Sequence, residues 1–147
     1  MGKKLSPPGR DTLYGIAMPD KYQFKQIIEH VRQDERILAL YLMGSAAKGK
    51  MRPDSDVDLA VLVKDPKVFS DMDRLHLAGD LAFMTGLMLD IGEISSRNLV
   101  YAKEALLTGQ RIFVRNKSEA DLKACTLLGM YIVFNEARQR VLRAYES

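Results

Sequence analysis

Apolar and polar positions alternate along the chain in blocks that divide it into short elements. Asp20 is placed to cap a first helix reaching about Glu35, with Phe24, Ile27, Ile28 and Val31 at helical spacing on one side. Ile37 to Met43 (ILALYLM) is short and almost wholly apolar, which suits a central strand buried on both faces. It breaks at Gly44-Ser45, where a helical turn through Lys48 is expected, and Met51 to Ser55 reads as a turn. Val57 to Val63 forms a second strand. Asp65-Pro66 predicts a helix that opens on proline and runs to about Thr85, where Gly86 stops it. Val68, Met72, Leu75, Gly79 and Ala82 form its expected inner stripe. Leu87 to Ile94 predicts a third strand, Asn98 to Leu107 a helix closed by Gly109, and Arg111 to Val114 a fourth strand. Ser118 with Asp121 resembles a capping-box start for a last helix that continues close to Tyr145. This order of helices and strands predicts an α/β (α+β) architecture, a sheet covered by helices.

At 147 residues and 47% hydrophobic content the chain is expected to form one domain of the ordinary globular class. No apolar run approaches the length of a membrane span, and the start Met1-Gly2-Lys3-Lys4 lacks the apolar segment of a secretory signal. The single cysteine, Cys125, has no partner for an internal disulfide and no metal-ligand spacing, which points to a reducing, cytoplasmic setting. Lys3, Lys4 and Arg10 account for the whole net charge of +3, so residues 1–19 read as a basic, mobile tail ahead of a domain spanning 20–147. A body with balanced charge argues against strong binding to a nucleic-acid backbone.

The chemistry concentrates in Gly44-Ser45 and, after ten intervening residues, Asp56-Val57-Asp58. Side chains alternate along a strand, so Asp56 and Asp58 share one face while Val57, Leu59, Val61 and Val63 enter the core. Two carboxylates so placed repel each other unless a cation lies between them, and hard oxygen donors suit Mg²⁺. Taken alone, the pair reads more readily as two solvated acids at a strand entrance. Gly44 adds a place where a ligand can approach the backbone, and Ser45 a hydroxyl at a helix start, which favours phosphate. Asp90, an acid inside the apolar run LMLDIGEI, is costly to bury alone and is positioned to join the other two on a neighbouring strand. Glu93, three residues later, faces the other side.

Gly44-Ser45-Ala46-Ala47-Lys48-Gly49, Ser55-Asp56-Val57-Asp58-Leu59 and Asp90 together resemble the minimal nucleotidyltransferase family of the DNA polymerase β-like superfamily. The stretch from Ala105 to Phe113 resembles that family's closing helix and strand. Lys48 departs from the pattern, since relatives often carry arginine there; a lysine keeps the charge but loses the bidentate fork for phosphate. The resemblance implies a mixed sheet of about four strands, two Mg²⁺ ions and ATP as donor. It places Gly44, Ser45 and Lys48 on the nucleotide, Asp56 and Asp58 on metal, and Asp90 on the second metal and the acceptor hydroxyl. Attack at the α-phosphorus would release pyrophosphate and leave AMP on the acceptor.

Stand-alone members of that family are often antitoxins that transfer AMP to a tyrosine of a helical HEPN toxin, so the expected partner is such a toxin. A wide apolar face on the last helix fits a protein partner, and a homo-oligomer is a further possibility. Two alternatives remain open at this level: a protein that neutralises its partner by contact alone, and nucleotidylation of a small molecule or RNA. A P-loop is set aside. Gly44 to Lys50 reads G-x-x-x-x-G-K, but Met51 stands where a metal-binding hydroxyl is required.

Overall fold

The computed structural model describes residues 19–44 and 56–146. Helix α1 (Lys21–Arg32) leads into β1 (Ile37–Leu42), which is followed by β2 (Val57–Val63). A single 3₁₀ turn (Pro66–Val68) precedes α2 (Asp71–Thr85), β3 (Leu89–Ile94), α3 (Leu99–Thr108), β4 (Gln110–Val114) and the long α4 (Lys117–Glu146). The four strands lie in the order β3-β2-β1-β4. β1 is antiparallel to both β2 and β4, whereas β2 and β3 run parallel, so the sheet is mixed as expected. The helical turn expected through Lys48 and the turn at Met51 to Ser55 lie outside the described residues, as does nearly all of the expected tail.

Every residue of β1 is buried, the signature of a strand flanked in the sheet and covered on both faces. One apolar layer joins Ile27 and Val31 of α1 and Leu77 and Leu81 of α2 to Val57, Leu59, Val61 and Ile91 of the sheet. The other joins Ala60, Leu62 and Ile94 to Ala102 and Ala105 of α3 and to Ala120 and Leu127 of α4. Helices thus cover both faces, α1 and α2 on one side, α3 and the start of α4 on the other.

Local chemistry sets the helix ends. Gln23 N–H donates to the Asp20 carboxylate at 2.8 Å while Asp20 N–H donates to Gln23 Oε1 at 2.9 Å, a reciprocal cap at the start of α1. Three corrections to the sequence reading follow from tertiary demands. First, α2 does not begin at Asp65-Pro66. Phe69 adopts an extended backbone that sends its ring into the core, fully buried, and Ser70 and Asp73 then form a second reciprocal cap. Second, the buried stripe of α2 is Leu77 and Leu81, while Val68, Met72 and Leu75 are more than half exposed. Apolar residues surround this helix, so its own periodicity does not select a face; the sheet does. Third, α4 starts with Asn116, whose side chain accepts from Glu119 N–H at 2.9 Å. Asp121 is instead the partner of Arg111, at 2.9 Å, and of Lys117, at 2.7 Å, and so ties β4 to α4.

Candidate active site

The sheet's register assembles the acids. In the parallel β2–β3 pair, Asp58 and Asp90 are direct partners, as are Val57 and Leu89, and Ala60 and Gly92. Parallel partners point to the same face, and alternation puts Asp56 on that face two residues before Asp58. Val57 and Leu59, on the other parity, are buried in the core. The three carboxylates thus gather at the start of β2 and β3, on the side covered by α3 and α4. Glu93, of opposite parity to Asp90, turns away: its carboxylate accepts from Ser95 Oγ and pairs with Arg97 at 3.4 Å.

The Asp58 carboxyl is pushed above the ordinary carboxylate range, first by burial and then by the negative charges of Asp90 and Asp56. Among the described residues, none of the three takes part in an ion pair. Among the described residues, no group of three or more His, Cys, Asp or Glu side chains forms a ready-made metal cage. The chemistry of the set nonetheless fits Mg²⁺: donors are oxygen only, they carry mutual repulsion that a cation would relieve, and Mg²⁺ commonly completes its shell with water and phosphate oxygens.

β1 delivers the backbone to this site. Met43 N–H donates to the Asp58 carbonyl at 2.8 Å as the chain leaves β1. Gly44 then takes a left-handed φ of +64°, and a Cβ there would stand 3.1 Å from Asp58 Oδ2. Glycine therefore serves twice, by its allowed dihedral and by keeping a side chain out of the acids' space. Ser45 and Lys48 lie outside the described residues.

A cavity of about 410 Å³ opens over these groups, lined by Gly44, Asp58, Asp90 and Gly92 on the sheet side and by Tyr101, Glu104 and Thr108 of α3. The α3 residues recur at 101, 104 and 108, the spacing of one helical face. Arg74 of α2 reaches the same cavity around the edge of the sheet, where its guanidinium donates to the Ile91 carbonyl at 2.9 Å. Its Nε is buried without a partner among the described residues. The sequence reading missed Arg74, Tyr101, Glu104 and Thr108. For the three on α3 the polar face of that helix was the available signal; for Arg74 there was none, because its placement depends on how α2 packs against β3.

Tyr101 stands over Gly92 because no other residue would let it. A Cβ on Gly92 would fall 2.1 Å from the Tyr101 phenol oxygen and 2.4 Å from Cζ, well inside contact distance. The Tyr101 hydroxyl is held above its usual range by burial and then by Asp58 and Asp90, with Arg74 opposing.

Comparison with known proteins identifies the family and the fold. Over residues 25–118 the chain matches the family described as Polymerase beta, Nucleotidyltransferase. It is 25% identical over 118 residues to the protein adenylyltransferase MntA of Shewanella oneidensis, covering 80% of this chain and 83% of that protein. Its fold resembles a chain in the crystal structure of a toxin–antitoxin with AMP-PNP, with a TM-score of 0.69, 21% identity and coverage of 87% of this chain and 99% of that one. It also resembles a chain in the complex of a tri-AMPylated Shewanella oneidensis HEPN toxin with an MNT antitoxin, with a TM-score of 0.66, 23% identity and coverage of 86% and 98%. With the family match spanning well over half its length and the paired acids on adjoining strands, this chain belongs to the polymerase β nucleotidyltransferase family.

Proposed function

We propose that this chain transfers AMP from ATP to a tyrosine hydroxyl of a HEPN-type toxin and thereby acts as an antitoxin. The observation that carries the reading is the pairing of Asp58 with Asp90 across parallel strands, on the face that Asp56 shares and beside side-chain-free Gly44. Asp56, Asp58 and Asp90 are the residues that would hold Mg²⁺, two ions in the fullest form of the proposal. Bound there, Mg²⁺ would offset the charge of the triphosphate and of the departing pyrophosphate. Gly44 leaves room for the nucleotide near the acids, and Ser45 and Lys48, by their place in the motif, are the proposed phosphate contacts. Asp90 lies where it would draw the proton from the incoming hydroxyl.

A protein acceptor fits the exposed length of α4, on the same side of the sheet as the acids. Beyond Leu127 no described residue of α4 is buried, and Ile132, Val133, Phe134, Val141 and Leu142 remain exposed. Next to them an apolar hollow of about 480 Å³ lies between Leu99 of α3 and Gly129, Met130, Val133 and Phe134 of α4. An apolar face of this extent is characteristic of a protein interaction site. No helix among the described residues is long and apolar enough to cross a membrane.

The test is to incubate the chain with α-labelled ATP, Mg²⁺ and a HEPN-type partner protein. Label on a partner tyrosine, lost in Asp56→Asn and Asp58→Asn, is the expected result. Full neutralisation of the partner by both variants without label would replace transfer by contact.

A further inference from the structure

The acid pocket already contains a tyrosine of this chain. Tyr101 comes from the first turn of α3, where its backbone N–H donates to the Asn98 side chain at 3.1 Å and the turn is thereby held in place. Its ring crosses back over the sheet to Gly92, the next residue along β3 on the face that carries Asp90. In the adjoining strand the matching position is Ala60, so small residues on both strands leave the space that the ring occupies. Among the described residues the phenol oxygen has no hydrogen-bond partner. The ring also separates the acid cavity from a neighbouring one of about 270 Å³ at the edge of β3, and with Arg74 and Gly92 it lines both. A phenol on the same face as the three acids, without a partner among the described residues, has the chemical class of the acceptor.

We propose that Tyr101 is an acceptor in cis, so that the chain adenylylates its own Tyr101 from ATP. This inference rests on the nucleotidyltransferase reading above. Tyr101 Oη forms a bond to the α-phosphorus, and the bond from that phosphorus to the oxygen bridging the β-phosphate breaks. Pyrophosphate leaves with the electron pair, and the phenolic proton passes to the Asp90 carboxylate. The product is a tyrosyl-AMP ester lodged in the pocket, which obstructs entry of a second nucleotide and slows later transfer to a partner.

The experiment uses the full chain with ATP and Mg²⁺, with and without a HEPN-type partner, followed by intact mass and peptide mapping. The expected result without partner is one AMP per chain on the Tyr101 peptide, formed at a rate independent of protein concentration. The mark should be lost in Tyr101→Phe and, through loss of chemistry, in Asp56→Asn. Label on exposed Tyr22 or Tyr145 instead, or a rate that rises with protein concentration, overturns the assignment in cis. If the partner is labelled and Tyr101 is not, the inference fails while the proposed function stands. If neither protein is labelled and no pyrophosphate is released, both fail.

Discussion

Two groups of aspartates in this molecule have opposite electrostatic fates. Asp34 and Asp73 converge on Arg36, whose guanidinium lies 2.8 Å from one carboxylate and 3.1 Å from the other and also donates to the Val68 carbonyl. Hydrogen bonds to Arg36 hold the Asp34 carboxyl below its usual range, and bonds to the backbone and hydroxyl of Ser70 do the same for Asp73. Asp58, with Asp90 and Asp56 around it, is pushed the other way. The first cluster joins β1, the 3₁₀ turn and α2 and is electrostatically complete. In the second, like charges share one face and form no ion pair among the described residues, and a bound cation would relieve their mutual repulsion. Within one chain, the satisfied acids tie elements together, whereas the mutually repelling ones are the proposed metal ligands.

The largest effect expected from that contrast concerns turnover. Asp58→Asn or Asp90→Asn should lower AMP transfer by about two to three orders of magnitude, as loss of a group that stabilises transition-state charge does. The same change at Asp34 should leave transfer intact once the protein is folded, and rate measurements on the three variants decide the matter.

Packing at Gly92 comes next. Gly92→Ala drives a Cβ into the Tyr101 ring and should cost about 1–3 kcal/mol, the usual range for overpacking. Thermal unfolding reads the loss, and adding Tyr101→Ala should recover part of it. An unchanged midpoint in Gly92→Ala would mean that Tyr101 lies elsewhere in solution.

Arg36→Ala should lower the unfolding midpoint by a few degrees at neutral pH. Asp34 and Asp73 have depressed folded-state values, so their contribution is present above the ordinary carboxylate value of 3.8 and is lost as pH falls below it. The difference between wild type and variant should therefore shrink in acid, as paired melts across pH would show.

The smallest effect has the reverse sign. The raised value at Asp58 means that the folded state holds its proton more tightly than the unfolded chain does. Stability without metal should accordingly decline as pH rises through the interval just above 3.8, and Asp58→Asn should stabilise the metal-free protein by about 0.5 kcal/mol or less after solvent screening. Mg²⁺ should offset the decline in wild type and do so less in Asp58→Asn.

Much of this was legible along the chain. The start of α1 and the spans of β1 and β2 follow from Asp20, the unbroken apolar run after Ile37 and the alternation after Asp56, all local signals, whereas α1 ends at Arg32, short of the expected Glu35. Asn98 and Gly109 likewise mark the ends of α3. The reading failed where local signals were degenerate. Met72 and Leu75 were expected to face inward and Ser118 to start α4, but Leu77 and Leu81 are buried and Asn116 supplies the cap. Each choice was made by a neighbour: the sheet under α2, and Arg111 drawing Asp121 away.

The amino-acid order by itself determined the parity of the acids, because a strand's alternation puts Asp56 and Asp58 on one side and Val57 and Leu59 on the other wherever that strand packs. It also marked Asp90 as out of place in an apolar run. Only the tertiary structure decided that β3 lies parallel to β2 with Asp90 opposite Asp58, since strand register depends on the connection through α2 and not on either strand alone. It alone, too, carried Tyr101 across to Gly92 and Arg74 around the sheet edge. Those contacts join residues distant in sequence, and the space that permits them exists only once the helices are seated.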